Sequence, residues 1–216
     1  RLLITQLEEL FESFINLINL AIDEKSPYTG GHCQRVPALT MMLAEAADQT
    51  ADGPLAGFKM DDRDRYELKI AGLLHDCGKV TTPVHVVDKA TKLQTLFDRI
   101  HLIDTRFEVL KRDAEIEALR ARLALNGTNN PQAEAEIDDR YGDRLREIEE
   151  ERAFLRKSNI GGEAMKEEDQ HRVRDIAVRY RWRDGEGTEA NFLDADETEN
   201  LSIRAGTLTQ KEREII

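Results

Sequence analysis

The sequence predicts an all-α protein. Apolar residues recur at gaps of three and four over most of the chain, the period of a helix with one buried face. No stretch alternates apolar and polar residues long enough to make a convincing strand. Gly and Pro gather mostly in short clusters that separate the periodic stretches.

The first helix is marked by Leu3, Leu7, Leu10, Phe14, Leu17 and Ala21, at gaps of 4, 3, 4, 3 and 4. That is a heptad seam, and it reads either as a core helix or as a signalling or dimerising helix arriving from an upstream domain. Ser26-Pro27-Tyr28-Thr29-Gly30-Gly31 ends it. A second helix follows, with Val36, Leu39, Leu43 and Ala46 on one face and His32 four residues before Val36. Pro37 lacks an amide donor and is expected to kink or displace its first turns. Residues 48–61 read as a loop, after which Asp61 or Asp62 caps a third helix. Its apolar face is Tyr66, Ile70, Leu73 and Leu74, and it ends at His75-Asp76, with Gly78 as a stop. Pro83 prevents its continuation.

Two long polar helices come next, from Leu93 to Arg122 and from Gln132 to Arg156. The Asn/Gly/Pro turn at 126–131 joins them as an antiparallel hairpin, expected to be solvated or to face a partner. Gly161-Gly162 precede a helix over 163–180, and 184–200 read as an acidic loop. Thr209 and Glu212 have capping-box spacing and open a last helix.

At 216 residues the chain is long enough for one core, and about 150 residues per domain gives roughly one and a half domains. No run of about 18 apolar residues marks a membrane span. Lys and Arg number 31 against 43 Asp and Glu, a net charge of −12 that disfavours duplex nucleic acid as a partner. The acids concentrate in residues 111–200, where 24 acids against 16 bases give −8. A small phosphorylated ligand remains compatible, because a bound metal inverts the local field. Two cysteines, Cys33 and Cys77, fit a reducing compartment and hence a cytoplasmic location. The chain opens at Arg1 without an initiator Met or a secretory leader, and it is expected to be a piece of a longer protein.

Chemistry concentrates in Leu73-Leu74-His75-Asp76-Cys77-Gly78-Lys79. A neutral imidazole and a carboxylate are both good ligands for divalent metals. Adjacent helix positions point about 100° apart, so the pair brackets a site, and the carboxylate can bridge two ions. Gly78 lets Lys79 turn back as a point charge for a phosphate oxygen. His32, on an apolar helix face, is a further ligand candidate. The bland alternative is a structural His-Asp pair beneath a helix end.

These strings together resemble the HD-GYP branch of the HD superfamily of metal-dependent phosphohydrolases. Ser26 to Val36 resembles the opening of that branch, His75-Asp76-Cys77-Gly78-Lys79-Val80 with Pro83 its central motif, and Gly206-Thr207-Leu208-Thr209 with Glu212 the start of its next ligand-bearing helix. The resemblance covers roughly residues 15–95 and 200–216. It implies an HD-like helical bundle, here partial and carrying a charged helical insertion. It also implies divalent metal ions (iron or manganese, with magnesium or another ion as alternatives) and hydrolysis of cyclic di-GMP. By position, His32, His75 and Asp76 would ligate metal, Asp76 would be catalytic, and Lys79 would be catalytic and bind the substrate phosphate. Tyr28 stands where trinuclear members place a Glu, which favours two ions.

The expected organisation is a connecting or signalling helix over 1–25, the first part of the HD domain over 26–104, the insertion over 105–200, and a return to the HD domain over 201–216. The family's His-His pair and Gly-Tyr-Pro motif would lie beyond Ile216. The segment alone is therefore expected to be weakly active or inactive. The alternatives are a phosphohydrolase acting on another nucleotide or phosphoester, and an inactive scaffold that transmits helix movements. Expected partners are a cyclic dinucleotide or other phosphoester, an upstream sensory domain and a second copy joined through the first helix. His85 reads as loop packing, His101 as a lesser candidate for the third ligand, His171 as solvated, and Cys77 as a small core residue with Cys33 similar.

Overall fold

A computed structural model describes residues 2–25, 31–125, 130–162, 164–183 and 186–216. The fold is all-α, as the periodicity predicts. Among the described residues the only sheet is a two-stranded hairpin, β1 (Arg181–Arg183) against β2 (Glu189–Asn191), with Trp182 opposite Ala190. The helices are α1 (Leu2–Lys25), α2 (His32–Asp48), α3 (Asp62–Leu74), α4 (Val84–Val87), α5 (Ile100–Ala124), α6 (Pro131–Asn159), α7 (Glu167–Arg179), α8 (Ala195–Leu201) and α9 (Gln210–Ile215). The chain divides by packing into two units, Arg1–Asp88 with Ile215–Ile216, and Lys89–Glu214.

In the first unit, α1 packs against α2, α3 and a short 3-10 turn, Cys77–Val80. The heptad seam is not its inner face. Leu3, Leu7, Leu10, Phe14 and Leu17 are exposed, whereas Ile15, Asn19 and Ile22 are buried. The inner stripe is shorter than the seam and mixes apolar and polar residues. A similar correction applies to α2. Leu39 and Leu43 are exposed, and the buried residues of the helix are Cys33 and Pro37.

The reason is close helix packing. A Cβ on Gly72 of α3 would lie 3.2 Å from the Cα of Pro37 and 3.3 Å from its Cβ. Small residues therefore face each other, and the larger leucines are left outside. Helix α2 runs through Pro37 rather than beginning after it. It is entered from Gly31 at φ 70, a left-handed conformation that glycine adopts without strain. Helix α3 starts as expected at Asp61, whose carboxylate accepts from the Asp64 amide at 2.8 Å while Asp64 accepts from Asp61 at 3.0 Å.

The second unit corrects the reading of a solvated charged hairpin. Helices α5 and α6 pair, and Ile103, Phe107, Leu110, Ile148 and Leu155 on their facing sides are buried. Val173 and Ile176 of α7 join them, as do Phe192 and Leu193 from the stretch expected to be an acidic loop and Leu201 directly after it. Within that stretch Asp194 and Glu197 form a full capping box that starts α8. Helix α5 begins at Ile100 rather than near Leu93, because the Lys92 amide bonds the Asn159 carbonyl at 2.9 Å and the Leu93 amide bonds the Asn159 side chain at 2.8 Å. The packing boundary accordingly falls after Asp88, with Leu93, Ile100 and Ile103 in this unit's core.

Polar groups lock the same unit. Glu197, with a side chain 2% exposed, takes both guanidinium nitrogens of Arg106 at 2.6 and 2.9 Å. The buried Lys89 ammonium meets both Glu212 oxygens at 2.9 Å and Asn200 at 2.9 Å. Thr209 and Glu212 make the predicted capping contacts at the start of α9, at 2.7 and 3.3 Å.

Candidate metal centre

His32 opens α2, His75 ends α3, and Asp76 follows at the bend into the 3-10 turn. His32 lies 43 positions before the adjacent pair's His75 in the sequence, and the fold brings the three ligand atoms within 4.8 Å of one another. His32 Nε2 lies 3.2 Å from His75 Nε2 and 3.4 Å from Asp76 Oδ2, and His75 Nε2 lies 3.2 Å from the same oxygen. The three atoms form a nearly equilateral triangle.

The triangle has the dimensions of a metal face. Bonds of about 2.1 Å set neighbouring donors about 3.0 Å apart in octahedral and about 3.4 Å apart in tetrahedral coordination. All three observed edges fall within that range. The donor chemistry, two imidazoles and one carboxylate, suits first-row divalent ions. The side chains are partly open to solvent, at 39% for His32, 29% for His75 and 14% for Asp76, so a ligand can reach the centre.

Neighbouring groups orient the donors. His75 Nδ1 lies 2.7 Å from the Gly72 carbonyl. A carbonyl only accepts, so Nδ1 carries the proton and Nε2 turns its lone pair toward the triangle. Lys79 donates to Asp76 Oδ2 at 2.8 Å, which brings the fourth sequence candidate into the cluster. Cys33, beside His32, is fully buried. Its burial, together with the nearby Asp23 carboxylate, pushes the thiol up to about 11 and keeps it protonated at neutral pH. Cys77 is exposed, not the core residue expected, because the 3-10 turn carries it to the surface.

The remaining histidines lie outside this group. His101 has a side chain 73% exposed and 4.0 Å from Asp104, and exposed His171 lies 3.8 Å from Glu167. His85 sits on the short helix α4. Tyr28, with its bearing on the number of ions, lies outside the described residues, as do the other residues of 26–30.

Sequence reasoning missed three residues of α1 that bond the backbone beside the centre. Asn19 donates to the Leu73 carbonyl at 2.9 Å. Asp23 accepts from the Gly31 amide at 3.0 Å. Lys25 donates to the carbonyls of Lys79, Val80 and Thr82 at 3.1, 2.8 and 2.5 Å. Gly72 was missed too. No local pattern announces any of them, because no partner lies within the same helix and the spacing matches no capping motif.

Comparison with known proteins is consistent with this geometry. A family model described as HD domain matches residues 29–152, more than half of the chain. A curated relative, 3'3'-cGAMP-specific phosphodiesterase 3 of Vibrio cholerae serotype O1, is 34% identical over 82 residues. The match covers 38% of this chain and 15% of the relative, so the chain spans a small part of that protein's length. No solved structure matches. Among the described residues no helix is long and apolar enough to cross a membrane.

Proposed function

The chain belongs to the HD domain family, and from that premise we propose that it carries the metal centre of a phosphodiesterase acting on a cyclic dinucleotide. HD domains bind divalent metals and act as phosphohydrolases, and the donor set here fits such an ion. His32, His75 and Asp76 are the proposed ligands, with Asp76 and Lys79 as catalytic residues and Lys79 contacting the substrate phosphate. The observation that carries the reading is the donor triangle, with edges of 3.2, 3.2 and 3.4 Å and the Lys79 ammonium 2.8 Å from its carboxylate corner.

A divalent ion held there supplies Lewis acidity toward phosphoryl oxygens and activates water at neutral pH. The chain's own groups supply the rest. The Gly72 carbonyl keeps the His75 proton on Nδ1 and so keeps Nε2 available. Asp76 gathers both imidazoles and the ammonium around one oxygen. Lys79 presents a positive charge at the rim, where an anionic phosphate oxygen approaching the centre would meet it.

The substrate class follows from the resemblance of residues 26–83 to the HD-GYP branch, together with a relative whose name specifies a cyclic dinucleotide. Cyclic di-GMP and 3'3'-cGAMP are the two substrates to compare. The assay is turnover of each, and of bis-p-nitrophenyl phosphate, with manganese or ferrous iron, by this chain and by its longer parent. Hydrolysis that chelation abolishes and Asp76→Ala removes supports the proposal. Turnover that survives both treatments would rule it out.

The exposed seam of Leu3, Leu7, Leu10, Phe14 and Leu17 supports a second element of the reading. A second copy, or a helix from a sensory domain upstream, pairs along it to relay signals. Sedimentation of Leu7→Lys, Phe14→Lys beside the unaltered chain tests this. An unchanged association state would exclude a dimer through the seam.

A further inference from the structure

We infer that one face of α1 is a template that sets the geometry of the candidate metal centre, with Asn19, Asp23 and Lys25 as positioning residues. The inference rests on the metal-centre reading above and deepens it. None of the three residues belongs to the donor triangle. Each bonds the backbone close to a member of it.

Asn19 holds the Leu73 carbonyl, two residues before His75. Asp23 holds the Gly31 amide, the residue before His32. Lys25 reaches past Asp76 to the carbonyls of Lys79, Val80 and Thr82. One helix thus grips all three ligand-bearing segments, and Ile15 and Ile22 bury the apolar part of the same face.

The chemistry suits the task. An ammonium has three donors and no acceptor, and here three carbonyls around the end of the 3-10 turn take it. Two of those carbonyls, of Lys79 and Val80, lie at the C-terminal end of the turn, where peptide dipoles favour a cation. Such a tripod fixes the turn in three directions, and the turn begins directly after Asp76. Asn19 is 3% exposed, so its bond to Leu73 is shielded from competing water. A metal face tolerates only a few tenths of an ångström in its donor spacing, so these backbone anchors govern affinity.

Another polar contact of α1 provides a control. Glu12 pairs with Lys69 of α3 at 2.8 Å, one helix turn or more from the motif. It tethers α1 to the helix that leads into His75, but through a side chain six residues before that ligand and with no bond to the backbone beside the centre.

The test is calorimetric titration of the full chain with manganese, with circular dichroism to follow folding. Lys25→Met and Asn19→Leu are expected to weaken manganese binding at least tenfold while the helical signal is retained. Lys25→Arg is expected to restore most of the loss, and Lys69→Met to leave affinity unchanged. Wild-type affinity in folded Lys25→Met and Asn19→Leu would overturn the inference.

Two further readouts cover other outcomes. In the unaltered chain, saturating manganese should slow deuterium exchange over residues 15–25, because coupling is reciprocal; no slowing counts against the template. Without any metal, the ring nitrogen shifts of His32 and His75 should move in Lys25→Met and not in Lys69→Met. Equal shifts in the two variants would also overturn it. Failure of the underlying reading looks different, since the chain would then bind no manganese, or Asp76→Ala would bind it as tightly.

Discussion

Replacing Gly72 with alanine should damage the candidate centre without touching a ligand. The new Cβ would stand 3.2 Å from the Pro37 Cα and 3.3 Å from its Cβ. Carbon atoms pack best at about 3.5–4.0 Å, so α2 and α3 must part by a few tenths of an ångström. Neither neighbour can yield locally, since one is main chain and the other belongs to a rigid ring. Overpacking of this kind costs about 1–3 kcal/mol. For a unit of this size each kcal/mol lowers the melting temperature by about 4–8 °C. A shift of about 4–24 °C, followed by far-UV circular dichroism, is the expected result. His32 and His75 ride on the two separated helices, so manganese affinity should fall as well. The same substitution at Gly142, in α6, meets nothing within 4 Å. There alanine should stabilise the helix by about 0.5–1 kcal/mol. Trp182, the only tryptophan, lies in that second unit and reports its unfolding. Gly72→Ala with wild-type melting and wild-type affinity would refute the close-packing account.

Other expectations concern stability and reactivity. Glu197→Ala leaves the Arg106 guanidinium without its carboxylate in a site where Glu197 is 2% exposed, and it should cost about 3–5 kcal/mol by denaturant titration. Burial alone would raise the carboxyl pKa of Glu212, but hydrogen bonds from Lys89 and Thr209 outweigh it and the pKa lies below the usual range. Its contribution is therefore present above the unfolded value of about 4.3 and is lost as pH falls through the lower folded value. Acid unfolding of Glu212→Gln, monitored at Trp182, should lack that component. Cys77 is exposed and Cys33 is buried with its thiol pushed up to about 11, so a thiol reagent at neutral pH should label Cys77 rapidly and Cys33 only after unfolding. Comparable labelling rates would contradict the burial of Cys33.

The residues that gather at the candidate metal centre were legible in the sequence, whereas much of the packing was not. His75, Asp76 and Lys79 lie within five residues, so their adjacency is local, and His32 stood out through its place on an apolar helix face and through motif resemblance. The caps at Asp61 and Thr209 were legible because a helix start depends on neighbours three residues away. The same spacing at Asp194 and Glu197 announced α8 and was overlooked beneath the acidity of its surroundings. The inner faces of α1 and α2 were misread for a different reason. Periodicity finds the most regular apolar stripe, but burial depends on which stripe meets a partner, and Gly72 against Pro37 selects small residues. Lys25 and Asn19 were illegible because their partners lie more than fifty positions away.

Among its described residues the Arg1–Asp88 unit shields few apolar side chains, namely Ile15, Ile22, Cys33, Pro37, Leu73 and Val86. The other unit is built around Phe107, Phe192 and a ring of buried aliphatics. A region so thinly furnished draws a large share of its cohesion from whatever else links its helices. A ligand present at a hundredfold excess over its dissociation constant adds about 2.7 kcal/mol, comparable to burying one large hydrocarbon side chain. A cation at the junction of α2 and α3 would thus serve as a structural rivet as well as a reagent, and chelator-treated and ion-saturated samples should behave as materials of different stiffness.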